Sequence, residues 1–182
     1  MALQFTTSYL EDARPLFAQY KRLGEGALAQ VSDAHLGATL DPEMNSIAQI
    51  VKHLSGNMRS RWVGFPAADG EKPDRQRDRE FDTPPATRAE VMQLWAEGWA
   101  CLFTALDPLT EADLARETFI RGERHSVLQA INRQLTHYSY HVGQIVLLAK
   151  HFSSAHWQSL SVPRGGSAIF NADVASGKRS QR

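Results

Sequence analysis

Residues 135–152 read LTHYSYHVGQIVLLAKHF, the second half of the longest apolar helical pattern in the chain. Leu135, Val142, Ile145 and Leu148 recur in helical register, and Val127 and Ile131 extend the register back to Ser126. Within this helix stand His137 and His141. A spacing of four turns a helix by about 400°, so both rings leave one face, about 6 Å apart along the axis. Two imidazoles so placed can share one metal ion.

Three more segments carry the same period. The first spans about Phe5 to Val31, with Phe5, Tyr9, Leu16, Tyr20, Leu23, Leu28 and Val31 near one stripe. Pro15 either kinks it or marks its start. The second follows the N-cap pair Asn45-Ser46 and ends near Trp62, with Ile47, Ile50, Val51, Leu54, Met58 and Trp62 as its apolar face. The third opens on Thr87-Arg88-Ala89-Glu90, a capping-box pattern, and stops before Asp107-Pro108. Strand signals are few: Glu117–Ile120 reads as a short extended piece before Arg121-Gly122. The expected fold is all-α, an up-down four-helix bundle. A long loop, Gly64 to Ala86, joins helices two and three, and an irregular C-terminal tail follows Phe152. Trp157, Leu160, Val162, Ile169 and Phe170 are expected to pack that tail on the body. One domain is expected over residues 1–175, with 176–182 frayed.

At 182 residues the chain suits one domain with a sizeable core. Twenty basic and twenty acidic residues leave no dominant basic block, which argues against a nucleic-acid partner. One cysteine, Cys101, excludes an internal disulfide framework and fits a reducing compartment. No apolar run reaches the length of a membrane span, and the start lacks signal-peptide order, so a cytoplasmic location is expected.

A third histidine, His53, lies in the second helix, IAQIVKHLSGNMRSRW. Facing helices are where bundle metal sites are built. Three histidines leave coordination positions open, which describes a reactive site better than a structural one. The pattern is not H-E-x-x-H: Tyr138 follows His137, so the glutamate base of a metalloprotease is missing. Spacing alone leaves open that these are polar-face histidines. Imidazole suits zinc first and nickel second. Gln49, Asn57 and Gln144, each a turn or less from a ligand, are candidate acceptors for the free ring N–H groups. His35, His125, His151 and His156 read as structural or surface residues. The long loop carries Arg75, Arg77 and Arg79, and Arg59 and Arg61 precede it. With Arg164 of the glycine-rich tail, these arginines either meet an anionic ligand or pair with Asp69, Asp74, Asp78 and Glu80. Arg75 and Arg164 are the leading ligand contacts on the first reading.

The segments NSIAQIVKHLSGNMRSRW, DGEKPDRQRDREF, HYSYHVGQIVLLAKH and WQSLSVPRGGSAIFN together resemble the DinB/YfiT-like superfamily of four-helix metal-binding proteins. Within it, the chain is most similar to the domain-of-unknown-function 1572 group. The superfamily's usual triad, one histidine on the second helix and two on the last, falls on His53, His137 and His141. The resemblance implies a homodimer and a metal site. Its characterised relatives include transferases and isomerases that use bacillithiol or mycothiol. It therefore points to a metal-dependent S-transferase of a low-molecular-weight thiol, or to a hydrolase, acting on a small molecule. The rival is a stress-related metal-binding or interaction protein without turnover. Excess apolar surface at Trp95, Trp99, Leu102 and Phe103 marks helix three as the expected dimer contact.

Overall fold

A computed structural model describes residues 8–180 of the chain. They are mostly helical: α1 Tyr9–Leu28, α2 Asp33–Leu36, α3 Ile47–Trp62, α4 Arg88–Leu106, α5 Val127–Ser153 and α6 Ser167–Ala175. The only sheet among them is a hairpin of β1 Glu117–Ile120 and β2 Glu123–Ser126, antiparallel with Glu117 opposite Ser126. None of these helices is long and apolar enough to cross a membrane.

Helix starts are set by side-chain chemistry. Ser46, Thr87 and Ser126 each accept from the third helical N–H, while Gln49, Glu90 and Gln129 reach back to the cap. Each reciprocal pair satisfies two of the N–H groups that a helix leaves open. The four long helices touch in a ring, α1 on α5, α5 on α3, α3 on α4 and α4 on α1. Inside it Phe17, Leu54, Trp99, Leu102, Tyr138 and Ile145 are fully buried. Tyr138 is the centre of this core. Its ring lies 6.0 Å from Phe17 and 5.9 Å from Trp99, and its hydroxyl accepts from Trp62 Nε1 at 2.9 Å and donates to Asn57 at 3.1 Å. Aromatic pairs of this kind add about 0.5–1.5 kcal/mol beyond area burial.

Several expectations change. Phe5 lies outside the described residues. The buried stripe of α1 is Leu10, Ala13, Phe17, Gly24, Ala27 and Leu28, whereas Leu16 is 39 % exposed. Small residues face the core because a large neighbour fills the space: a Cβ on Gly24 would stand 2.3 Å from the Trp95 ring. Trp95, Trp99 and Leu102 are core residues, so of the four expected at a dimer contact only Phe103, which is partly buried, keeps some exposure. Part of the tail is helical, namely α6, and Ile169 is exposed rather than packed. Trp157 and Leu160 do pack on the core.

The long loop is structured. It includes a 3-10 turn, Arg77–Glu80, and α3 holds it by side chains. Gln49 Nε2 donates to the Phe81 carbonyl at 2.8 Å, and Lys52 Nζ donates to the carbonyls of Arg79 and Thr83 at 2.6 and 3.0 Å. Ser60 Oγ donates to the Gly70 carbonyl at 2.8 Å. The Asp69 carboxylate accepts from the backbone N–H groups of Arg121 and Gly122, both at 2.8 Å, and so ties the loop to the hairpin turn.

Candidate metal centre

The position of Tyr138 dictates that of the histidines. Because Tyr138 points into the core, His137 lies about 100° round the helix from it, and His141 about 60° round on the same side. Both rings therefore emerge at the margin of the core, in a cleft between α5 and α3. His53 meets them from α3. It is 3 % exposed and His141 9 %, and His137 is partly buried.

One nitrogen from each ring lies within 4.8 Å of the other two, a group that could hold a metal ion. His53 Nε2 and His137 Nε2 are 3.3 Å apart. Two nitrogens at zinc-bond length in a tetrahedral arrangement would be about 3.3 Å apart, so this pair fits one small cation. Burial, first, and then the neighbouring imidazoles push His137 down to about 3. Burial also dominates at His141, which falls to about 4. Both rings are therefore neutral at ordinary pH, and a neutral imidazole is the form that coordinates.

The orienting groups are only partly those expected. Gln144 Oε1 accepts from His141 Nδ1 at 2.8 Å, and its amide donates to the Tyr140 hydroxyl at 3.1 Å. Gln49 and Asn57 do not take this role. Gln49 is spent on the α3 cap and on Phe81, and Asn57 accepts from Tyr138. The acceptor for His53 is Glu80, whose Oε2 lies 2.8 Å from Nδ1. A carboxylate there fixes the tautomer that leaves the Nε2 lone pair facing the cleft, and it raises the basicity of the ring. Glu80 is buried, 7 % exposed. Burial alone would raise its pKa, but hydrogen bonds from His53 and Arg75 outweigh that and hold it ionised. Gly56, on the same face of α3, makes room for it: a Cβ there would stand 2.5 Å from Oε1. Phe81 then stacks on the His53 ring at 4.6 Å, with Arg77 above it at 5.2 Å. His137 Nδ1 has no hydrogen-bond partner among the described residues.

The arginines sort differently from the sequence reading. Arg75 grips Glu80 with two bonds, at 2.8 and 2.9 Å, and Glu71 with a third at 3.2 Å. Its side chain is 5 % exposed. It borders the cleft and also holds Glu80, the pairing that the sequence left as the alternative. Arg61 is likewise buried, bonded to the Gly70 carbonyl and to Glu71. Arg164 is exposed and does not line the cleft. The tail begins after Ser153, about 24 Å along α5 from His137, and turns toward the C-terminal end of α1, where Leu160 meets Gly26. Arg59 and Arg79 open onto the neighbouring groove beyond Glu80. Arg121 and Arg133, neither singled out by the sequence reading, line the cleft instead. Arg133 carried a usable signal, since it precedes His137 by one helical turn.

The cleft measures about 630 Å³ and includes all three histidines, with Tyr140 and Gln144 at its edge. That volume suits a small molecule. No curated protein matches the chain. A family model described as a protein of unknown function, DUF1572, matches residues 4–166, most of its length. On that match the chain belongs to the DUF1572 family.

Proposed function

We propose that the protein is a metal-dependent enzyme of the thiol S-transferase or hydrolase type, with His53, His137 and His141 as the ligands of one divalent ion. Zinc is the first choice and nickel the second. The observation that carries this reading is the convergence of three imidazoles, two of them held by acceptors on their other nitrogen, in a cleft open to small molecules. Three protein ligands leave room in the shell for a reactant. A divalent ion bound there lowers the pKa of a coordinating thiol or water and supplies a nucleophile near neutral pH. The chain's own part is to aim the rings, through Glu80 and Gln144, while burial keeps His137 and His141 neutral.

The wider reading places residues 1–175 in one up-down bundle of the DinB/YfiT type that forms a homodimer. With Trp95, Trp99 and Leu102 inside, the large exposed side chains Tyr140 and Leu147 of α5 are one apolar surface available for pairing. Light scattering decides the assembly.

The test of the centre is metal analysis of protein purified without a histidine tag, at neutral pH. His137→Ala is expected to remove most of the bound metal. Unchanged metal content in that variant would rule the site out. Turnover of a chlorinated aromatic electrophile with added thiols then separates an enzyme from a stress-related metal-binding protein.

A further inference from the structure

Arginines dominate the wall of the cleft. Arg61, Arg75, Arg77, Arg121 and Arg133 line it, and no carboxylate does among the described residues. The acids behind the wall are too few to neutralise it. Glu71 alone serves three guanidiniums, Arg61 at 2.9 Å, Arg75 at 3.2 Å and Arg121 at 3.3 Å. Glu80 is taken up by Arg75 and His53. Arg133 forms no ion pair with any described residue, and it stands one helical turn from His137 on the same face of α5.

Arg121 is also placed at a conformational cost. It is the first central residue of the two-residue turn between β1 and β2, with φ 58°, and Gly122 follows with φ 73°. Such turns favour asparagine, aspartate or glycine at that position, because a larger side chain is strained in the left-handed region. Here the Asp69 carboxylate locks the turn by accepting both of its N–H groups. Strain held in place by surrounding bonds, with a charged side chain turned into a cleft, points to a ligand.

We propose that the cleft takes a small molecule with at least two oxyanion groups, carboxylate or phosphate, held by Arg121 and Arg133 while another part of the molecule reaches the three imidazoles. This rests on the metal reading, since that is where the molecule reacts. Arg121 and Arg133 are the specificity residues; Arg61 and Arg75 hold Glu71 and Glu80.

The test is calorimetry on zinc-loaded protein with two probes that share one thiol: glutathione, which carries two carboxylates, and its diethyl ester, in which both are masked. Glutathione is expected to bind at least about tenfold more tightly than the ester, the effect of one charge-assisted bond. Arg121→Ala and Arg133→Ala are each expected to weaken glutathione roughly tenfold, while ester affinity and zinc content stay unchanged. Equal affinity of the two probes for the unmodified protein overturns the proposal, as does a variant that weakens both alike. Should the unmodified protein hold no zinc, the metal reading fails on its own. The arginines are then judged on metal-free protein with succinate and pyrophosphate. Binding of either that is lost in Arg121→Ala upholds them and tells carboxylate from phosphate. Binding of neither overturns them.

Discussion

Replacing Glu80 by Gln changes one oxygen for an amide nitrogen and leaves the shape of the side chain almost unaltered. In the native site the two carboxylate oxygens accept from His53 Nδ1, Arg75 Nε and Arg75 Nη2. An amide has one acceptor oxygen, and its NH₂ group faces donors in the other position. Whichever way it turns, either the His53 ring or one arm of Arg75 loses its acceptor. A lost charge-assisted bond is worth about 1.5–3 kcal/mol. Arg75 keeps Glu71 at 3.2 Å, so the penalty falls short of the 3–5 kcal/mol or so expected for breaking a wholly buried pair. We expect metal-free Glu80→Gln to lose about 2 kcal/mol in urea denaturation. Zinc affinity is expected to fall about 10–100-fold, because the His53 ring is no longer held in its coordinating tautomer. Competition with a chromophoric chelator at neutral pH measures the second effect. Asp78→Asn, a change to an exposed acid in the same turn, is the control and should alter neither. Zinc affinity within about threefold of the unmodified protein would refute the role given to Glu80.

Two further outcomes follow from the packing and the charges. In the metal-free protein His137 and His141 have folded pKa values of about 3 and 4, against 6.5 for the free side chain, so the unfolded chain binds protons first as pH falls. Stability should be greatest above about pH 6.5 and decline toward pH 4, by at most roughly 1.4 kcal/mol per unit for each ring and less where water screens the charge. Urea midpoints that stay flat from about pH 7.5 to 5 would contradict this. Gly24→Ala should destabilise by about 1–2 kcal/mol, since a methyl group driven into the Trp95 ring outweighs the helix-propensity gain of about 1 kcal/mol. A raised melting temperature would show that the ring can move aside.

The helices were legible because their signals are local. Ser46–Gln49, Thr87–Glu90 and Ser126–Gln129 announce helix starts in four residues each, and the apolar positions of α3 and α5 repeat without interruption. The histidine cluster was legible because two members share one helix face and the third stands in the other strongly patterned helix. Where glycine or alanine occupies the buried face, as at Ala13, Gly24 and Ala27, a count of large apolar residues misplaces the stripe. Glu80 was hidden for another reason. It sits in a loop without period among acids and bases of both signs, and only the fold shows that it lies beneath His53. The glycines around Arg164 suggest an anion pocket, but the residue is exposed and does not line the cleft. Arg121 was visible only as a turn residue. What it faces depends on where the hairpin leans.

The contacts from Gln49 and Lys52 to the carbonyls of Arg79, Phe81 and Thr83 give the long loop something that loops seldom have, a register. Its carbonyls are matched one by one against a ruler of helix side chains, and Gly56 marks the notch into which Glu80 fits. Ordinary surface loops absorb insertions at little expense, because lengthening them alters only a closure entropy that grows slowly with length. One residue added between Glu80 and Thr83 would instead throw the Thr83 carbonyl out of step with that of Arg79, which shares the Lys52 donor, and strain the seat of the carboxylate beneath His53. The segment that looks most expendable in the chain is thus gauged to the residue. Variation in length belongs in the tail beyond Leu160, which touches neither ruler nor notch.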